Sequence, residues 1–415
     1  MSHVEPFGVE ALPSLPVGAP GAPPGCAGGL TERARLEWWN DRATDPLQLV
    51  EDFLAEHGLP VRDLAPGPAG HGAVRRTRRP PAHSAPGVCG AAVYVSAAAA
   101  AYAIGAPAAA ASPAPAVPDV VVIVYAHGRA PVPPPATPAD FRLGPWRSSW
   151  TPAGHAAAVV AVRAAIARGD VYQVNLVGHA AAEYAGDPLP ALRRVAALPG
   201  ARYGGMLTGA GWAVACASPE ALVEAAGGQV WTRPIKGTRP ATEAGRRELL
   251  CSAKERAEHV MIVDLERNDL SHVARTGSVR VDELFALRRW CDLWQAESVV
   301  SARLEDGVGL AALLRAVAPG GSVTGAPKLA ALAQIARLEP VGRGASMGAL
   351  GWVGPDRVSL GLSIRTAAVD ATRVHLWAGG GITWGSDPEA EVAEAAAKAA
   401  PLRAALAGEV RTSGA

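Results

Sequence analysis

After Thr151 the sequence leaves an Ala/Pro-rich texture and begins to alternate strand-like with helix-like segments. Residues 155–168 read as a helix that stops at Gly169, and Tyr172-Gln173-Val174-Asn175-Leu176 then alternates as a strand does. Strand-like segments recur at 211–217, 229–233, 347–353, 359–368 and 373–378, with helices expected among them at 245–274, 310–317, 329–337 and 388–407. Strands and helices interleaved in this way must stack in layers around a shared core, which predicts an α+β or mixed α/β sheet fold. No fixed-period internal repeat is found.

The rest of the chain is chemically quieter. Residues 1–30 are rich in Pro and Gly and are expected to be loose. Residues 31–150 form an N-terminal region in which 36–57 reads as a helix ending near Gly58, residues 151–407 carry the informative motifs, and 408–415 are a tail. A chain of 415 residues has room for two or three units or one large one. Its 39 Lys+Arg and 38 Asp+Glu leave a net charge of +1, so no basic excess exists to drive binding to nucleic acid. The short run Arg75-Arg76-Thr77-Arg78-Arg79-Pro80 reads as a solvated loop. Residues 88–106 are uncharged over a length that could span a bilayer, but Ala and Gly dominate them and insert poorly, so no membrane span is expected. Cys26, Cys89, Cys216, Cys251 and Cys291 are scattered with no Cys-x-x-Cys pair, and the first thirty residues lack the charged start of a secretory signal. Both features fit a reduced, cytoplasmic protein.

Four carboxylates form two Glu-x-x-Glu pairs, Glu255/Glu258 and Glu391/Glu394, each on an expected helix. A spacing of three puts each pair on one helix face, and two such faces opposed would offer hard oxygen ligands suited to Mg²⁺. The same spacing also suits plain ion pairs, Glu394 with Lys398 at i,i+4 and Glu255 with a neighbouring cation. Ser386 or Asp387 is the expected N-cap of the last helix, with Pro388 at its first position.

Lys236 lies in Arg233-Pro234-Ile235-Lys236-Gly237-Thr238, expected to be a constrained turn after a strand. It is either an exposed loop lysine or a nucleophile, the latter requiring a neutral fraction supplied by desolvation or by Arg233 or Arg239 nearby. Glu220 in Ser218-Pro219-Glu220 is expected at the end of another strand as an acid. The segment Gly320-Gly321-Ser322-Val323-Thr324-Gly325-Ala326-Pro327-Lys328 is not a phosphate loop, because Ala326-Pro327 intervenes where Gly-Lys-Ser/Thr is required. Its backbone N–H groups could cradle a carboxylate. Gly379-Gly380-Gly381 reads as a second backbone-rich loop, and Arg365, expected on a strand, is either structural or a bidentate carboxylate clamp.

In this order, Gly169-Asp170-Val171-Tyr172-Gln173-Val174-Asn175-Leu176, Ser218-Pro219-Glu220, Pro234-Ile235-Lys236-Gly237-Thr238, Met261-Ile262-Val263-Asp264-Leu265 with Arg267-Asn268-Asp269-Leu270, the Gly320–Lys328 segment, Ile364-Arg365-Thr366 and Ser386-Asp387-Pro388-Glu389 resemble the motifs of the chorismate-utilising enzymes. Within that family they look most like the large subunits (component I) of aminodeoxychorismate synthases. The resemblance covers about residues 150–407 and is weak over 31–150. It implies large antiparallel sheets packed together with helices outside, and an enzyme that replaces the C4 hydroxyl of chorismate with an amino group, using ammonia and Mg²⁺, toward 4-aminobenzoate and folate. By the same resemblance Lys236 attacks C2 and Glu220 protonates the departing hydroxyl. Glu258 and Glu394 would hold Mg²⁺, Glu255 and Glu391 its waters, and Arg365, Lys398, Gly380, Gly381, Thr324 and Gly325 would bind the substrate. No glutamine amidotransferase module is found in the chain, so glutamine use implies a separate partner subunit.

Lys236 and Thr324 stand where anthranilate synthase large subunits typically carry Ala and Ser, and so favour the aminodeoxychorismate type. The chain also departs from the family. Gln295-Ala296-Glu297-Ser298 replaces the usual His-Leu-Val-Ser, and Gln cannot shuttle a proton. In relatives that eliminate pyruvate that imidazole is associated with the elimination, so its loss fits an enzyme that stops at the non-aromatic amine. Arg343-Gly344-Ala345-Ser346 loses the phenol of Arg-Gly-x-Tyr, and Gly385 replaces an acidic residue. The alternatives are an anthranilate or 2-amino-2-deoxyisochorismate synthase, or a silent chorismate-binding protein.

Overall fold

The computed structural model describes residues 30–65, 87–127 and 141–409. In chain order the elements are β1 (Leu30–Trp38), α1 (Pro46–Glu56), β2 (Val88–Val95), α2 (Ala97–Ala103), β3 (Val120–His127), β4 (Arg142–Leu143), β5 (Arg147–Ser148), α3 (Pro152–Ala167), β6 (Gln173–Ala185), α4 (Leu189–Ala196), β7 (Gly205–Gly209), β8 (Trp212–Cys216), β9 (Ala221–Ala226), β10 (Gln229–Arg233), β11 (Ile235–Pro240), α5 (Glu243–Cys251), α6 (Ala253–Ser271), β12 (Arg280–Trp290), β13 (Leu293–Arg303), α7 (Leu310–Val317), a 3-10 turn (Gly321–Val323), β14 (Gly325–Ala326), α8 (Lys328–Leu338), β15 (Ala349–Val353), β16 (Arg357–Leu362), β17 (Thr366–Val369), β18 (Arg373–Ile382) and α9 (Pro388–Ala407). The first sheet has 10 strands, ordered β1-β3-β2-β15-β16-β9-β10-β13-β11 with β12 also on β13. The second has 8, ordered β14-β6-β18-β17-β8-β7 with β4 and β5 on β6. Neighbours along both sheets are antiparallel, including β2 with β15, which joins strands from either side of Thr151 into one sheet.

The largest apolar cluster draws on both sheets, with Val93, Ile123, Val223 and Leu360 from the first and Leu207, Trp212, Val214 and Trp377 from the second. Helices cover the outer face of the second sheet. Leu192 and Val195 of α4 and Leu402 and Leu406 of α9 pack on Ala213, Ala367 and Leu376, while α3 and α8 pack on Val174 and Leu176 of β6. Burial of these side chains is the main stabilising term, at ~25 cal/mol per Å² of apolar surface.

Several segments differ from their sequence-based expectation. Leu36 lies in β1, where Leu30, Ala34, Leu36 and Trp38 pack on the core at strand spacing, and α1 starts at Pro46, capped by Asp45 accepting from the N–H groups of Leu47 and Gln48. The expected helix 245–274 is two helices, broken at Ser252, whose hydroxyl caps the N–H of Glu255. Residues 88–106 form β2 and α2, and among the described residues no helix is long and apolar enough to cross a membrane. The basic run 75–80 lies outside the described residues.

Four differences shape the site. Lys236 is in a strand, β11, opposite Ala296 of β13, and Gly237 is an extra residue that lets Thr238 pair with Gln295. Gly237 holds φ +77°, so this is a bulge, and a bulge re-aims its side chains. The three glycines expected in a loop belong to β18, where Gly379, Gly380 and Gly381 pair with Val177, Leu176 and Asn175 of β6. The expected strand 359–368 is divided: β16 ends in the first sheet, Ser363, Ile364 and Arg365 cross over, and β17 begins in the second. A second crossover, Ala217 to Glu220, runs between β8 in the second sheet and β9 in the first, so Glu220 precedes a strand and does not end one. The two crossovers are hydrogen-bonded to each other, Leu362 N–H to Glu220 O at 3.0 Å and Ala217 N–H to Arg365 O at 3.0 Å.

Candidate active site

A cleft of about 910 Å³, part of it open to solvent, is bounded by both crossovers, by β11, β13 and β18, and by α6 and α9. Lys236, Glu220, Arg365, Lys398, Gly381, Glu255, Glu258, Glu391 and Glu394 line it together. Residues as far apart in sequence as Glu220 and Lys398 thus meet because two sheets and two helices converge here.

The Lys236 amine lies against β18 where that strand has no side chain. A Cβ on Gly381 would collide with Nζ of Lys236 and stand 3.1 Å from Nε2 of Gln173. Gln173, at the start of β6, is fully buried, and both polar atoms of its carboxamide lack a hydrogen-bond partner. A buried amide with no partner costs about 1–3 kcal/mol. Sequence reasoning gave Gln173 no role. The signal available was its place in the alternating 172–176 run.

Glu220 is 4% exposed. Its Oε1 accepts from the Ser322 hydroxyl at 2.6 Å and from the Ile235 N–H at 3.3 Å. Burial pushes this carboxyl up to about 7, against the opposing pull of Ser322, Ile235 and the nearby Lys236 ammonium. It therefore keeps a proton to near neutrality, as a proton donor to a leaving group must. Ser322, on the 3-10 turn of the glycine-rich segment, is a second residue whose role sequence reasoning missed.

Arg365 adopts φ +53°, a conformation rare for a residue with a Cβ, and is 6% exposed. Its Nη1 donates to Lys398 O at 2.8 Å, and its guanidinium makes no salt bridge to a carboxylate among the described residues. Burial lowers it to about 10, so at neutral pH it remains a desolvated cation facing the cleft. Lys398 donates to Gly379 O at 3.0 Å and pairs with Glu394 at 2.6 Å.

The two Glu-x-x-Glu pairs do face one cleft, from α6 and α9. Each carboxylate also has a protein partner: Glu255 with Arg239 at 3.0 Å, Glu258 with the Thr383 hydroxyl at 2.7 Å, Glu391 with the Ser386 hydroxyl at 2.6 Å, and Glu394 with Lys398. Burial raises Glu391, while the Lys398 ammonium lowers Glu394. Among the described residues no three acidic, His or Cys side chains gather closely enough to enclose a metal. A donor set of separated carboxylates around an open cleft fits Mg²⁺, which keeps several waters and takes one or two protein carboxylates.

Thr324 and Gly325 stand behind the wall of the cleft. The Thr324 hydroxyl donates to Gly320 O at 2.8 Å, and Gly325 pairs with Val174 on β6. Gly380 alternates away from Lys236, and a Cβ there would stand 2.9 Å from the Glu391 carboxylate. Lys328 is tied to Asp269 at 2.7 Å. Gln295 lines the cleft at 5% exposure, and no histidine lines it. His259 lies behind β13, with Nε2 2.5 Å from the Ser298 hydroxyl. Ser346 is fully buried and donates to Ser363 O at 3.2 Å.

Similarity to known proteins agrees with this geometry. The chain is 40% identical to anthranilate synthase component 1 of Streptomyces coelicolor over 65% of its own length and 55% of that protein, and 36% identical to aminodeoxychorismate synthase component 1 of Bacillus subtilis over 63% and 57%. It thus matches little more than half the length of these relatives. In fold it is similar to anthranilate synthase component I from Streptococcus pneumoniae, with a TM-score of 0.69 at 24% identity covering 90% of this chain and 91% of that one. The menaquinone-specific isochorismate synthase of Escherichia coli superposes with a TM-score of 0.62 at 17% identity, over 88% and 100% of the two chains. Residues 99–404, which contain every residue of the cleft named above, match the model described as chorismate binding enzyme, and the chain belongs to that family.

Proposed function

We propose that the chain aminates chorismate at C4, as the large subunit of an aminodeoxychorismate synthase. The observation that carries the reading is the placement of a lysine amine and a buried carboxyl in one cleft, Lys236 beside Gly381 and Glu220 under Ser322. In its neutral form Lys236 attacks C2 and forms a C–N bond. The ring double bond shifts, the C4–O bond breaks, and the Glu220 proton leaves with the hydroxyl as water. Ammonia then adds at C4 and the same shift in reverse expels the lysine. The unpartnered Gln173 carboxamide can accept a hydrogen bond from ammonia beside Lys236.

Arg365 and Lys398 supply cations for the substrate's carboxylates. Glu258 and Glu394 would hold Mg²⁺, with Glu255 and Glu391 on its waters. The bound cation would offset the charge of a dianion among four carboxylates. Gln295 in place of an imidazole leaves no proton shuttle at that wall, which favours release of the amine before pyruvate is eliminated.

The test is a product assay with chorismate, Mg²⁺ and ammonium, with and without a 4-amino-4-deoxychorismate lyase. 4-Aminobenzoate is expected to appear with the lyase alone, and Lys236→Ala to abolish it. Anthranilate as the product would overturn the reading.

A further inference from the structure

Arg365 is a buried cation on an unusual mount. Its guanidinium carbon lies 4.4 Å from the centroid of the Trp290 ring. Trp290 ends β12, is 1% exposed, and donates its indole N–H to Ala217 O at 3.1 Å. The N–H of the same Ala217 donates to Arg365 O at 3.0 Å. The contacts close a ring: Arg365 backbone to Ala217, Ala217 to the indole, and the indole face back to the Arg365 side chain. Gly200 lies close beside Trp290, where a Cβ would stand 3.0 Å from Trp290 Cα and 3.1 Å from its Cδ1.

A guanidinium stacked on an aromatic face is held by the ring quadrupole, which leaves its N–H groups unused because they lie in the guanidinium plane. One of them goes to Lys398 O. The remaining edge is available for the forked contact that a carboxylate makes. Ala217 also opens the crossover that carries Glu220, so the ring joins the anion-binding edge to the loop of the acid.

We propose that Trp290 is a positioning residue: its indole, locked by the Ala217 carbonyl, sets the plane of the Arg365 guanidinium so that the free edge meets a carboxylate of the substrate. The inference rests on the reading that the cleft takes chorismate. An interaction present equally in the ground and transition states changes KM and spares kcat.

The experiment measures chorismate binding by calorimetry and steady-state KM and kcat for the full chain and its variants. Trp290→Leu is expected to raise KM and Kd roughly five- to thirty-fold, the loss of a desolvated cation–π contact, with kcat within about twofold. Trp290→Phe, which keeps a ring, is expected to stay within about threefold. In an Arg365→Gln background the effect of Trp290→Leu should shrink below about twofold, because the indole then has no guanidinium to hold. Should the leucine variant not fold, the series Trp, Tyr, Phe carries the same test, with KM rising as the ring quadrupole weakens. Unchanged KM in a folded variant, or an undiminished effect in the Arg365→Gln background, would overturn the inference alone. A wild-type chain that neither binds nor converts chorismate overturns the functional reading and this inference together.

Discussion

At the residue scale the cleft is organised by what its polar groups lack. Glu220 has burial to raise its carboxyl to about 7 and two hydrogen-bond donors that keep it from rising further. As a general acid it is active while protonated, so its contribution is full below about pH 7 and is lost as the pH rises through that value. The alkaline side of the kcat/KM profile is therefore expected to carry a fall near neutrality. Glu220→Gln should lower kcat/KM by about 10²- to 10⁴-fold and abolish that inflection. A wild-type profile flat through neutral pH would rule out this role for Glu220. Gln173 and Arg365 show the complementary condition among the described residues, a buried amide without a hydrogen-bond partner and a buried cation without a salt bridge.

At the element scale, β18 gives up side chains where it passes Lys236. Gly381→Ala would place a methyl on Nζ of Lys236, and a misplacement of about 1 Å costs on the order of 10²-fold in rate. That loss is expected in the rate of chorismate consumption, with the melting temperature within a few degrees of wild type, since the three atoms nearest the added Cβ belong to the ends of two side chains. Helices α7 and α9 were legible to the residue, because Gly309 and the Asp387-Pro388 start signal mark where helical spacing begins. The β11 bulge, the division at Ser363–Arg365 and the strand made from three glycines were not. Each is decided by partners far along the chain, Ala296 and Gln295 for the bulge, Leu176 for Gly380 and Ala217 for Arg365, and local periodicity has no access to them. Of the cleft residues, Glu220, Lys236 and Arg365 were legible through the family motifs and the four glutamates through their helical spacing. Thr324 and Gly325 belong to the same motif yet serve the wall, because the 3-10 turn sends Ser322 inward and folds the Thr324 hydroxyl back onto Gly320.

At the scale of the whole molecule, every described strand belongs to one of the two sheets, and the described helices pack on or beside them. On the proposed reading the purified chain is expected to consume chorismate with ammonium and to show no glutamine-dependent rate until a glutaminase subunit is added. Glutamine-supported turnover by the chain alone would contradict the expectation.

The paired crossovers have a further consequence. Glu220 and Arg365 sit on the joint between the sheets and are tied to each other through Leu362 and Ala217, so their separation does not depend on the outer strands. The joint between the two sheets thus sets one gauge across the cleft, with Glu220 on one side and Arg365 on the other.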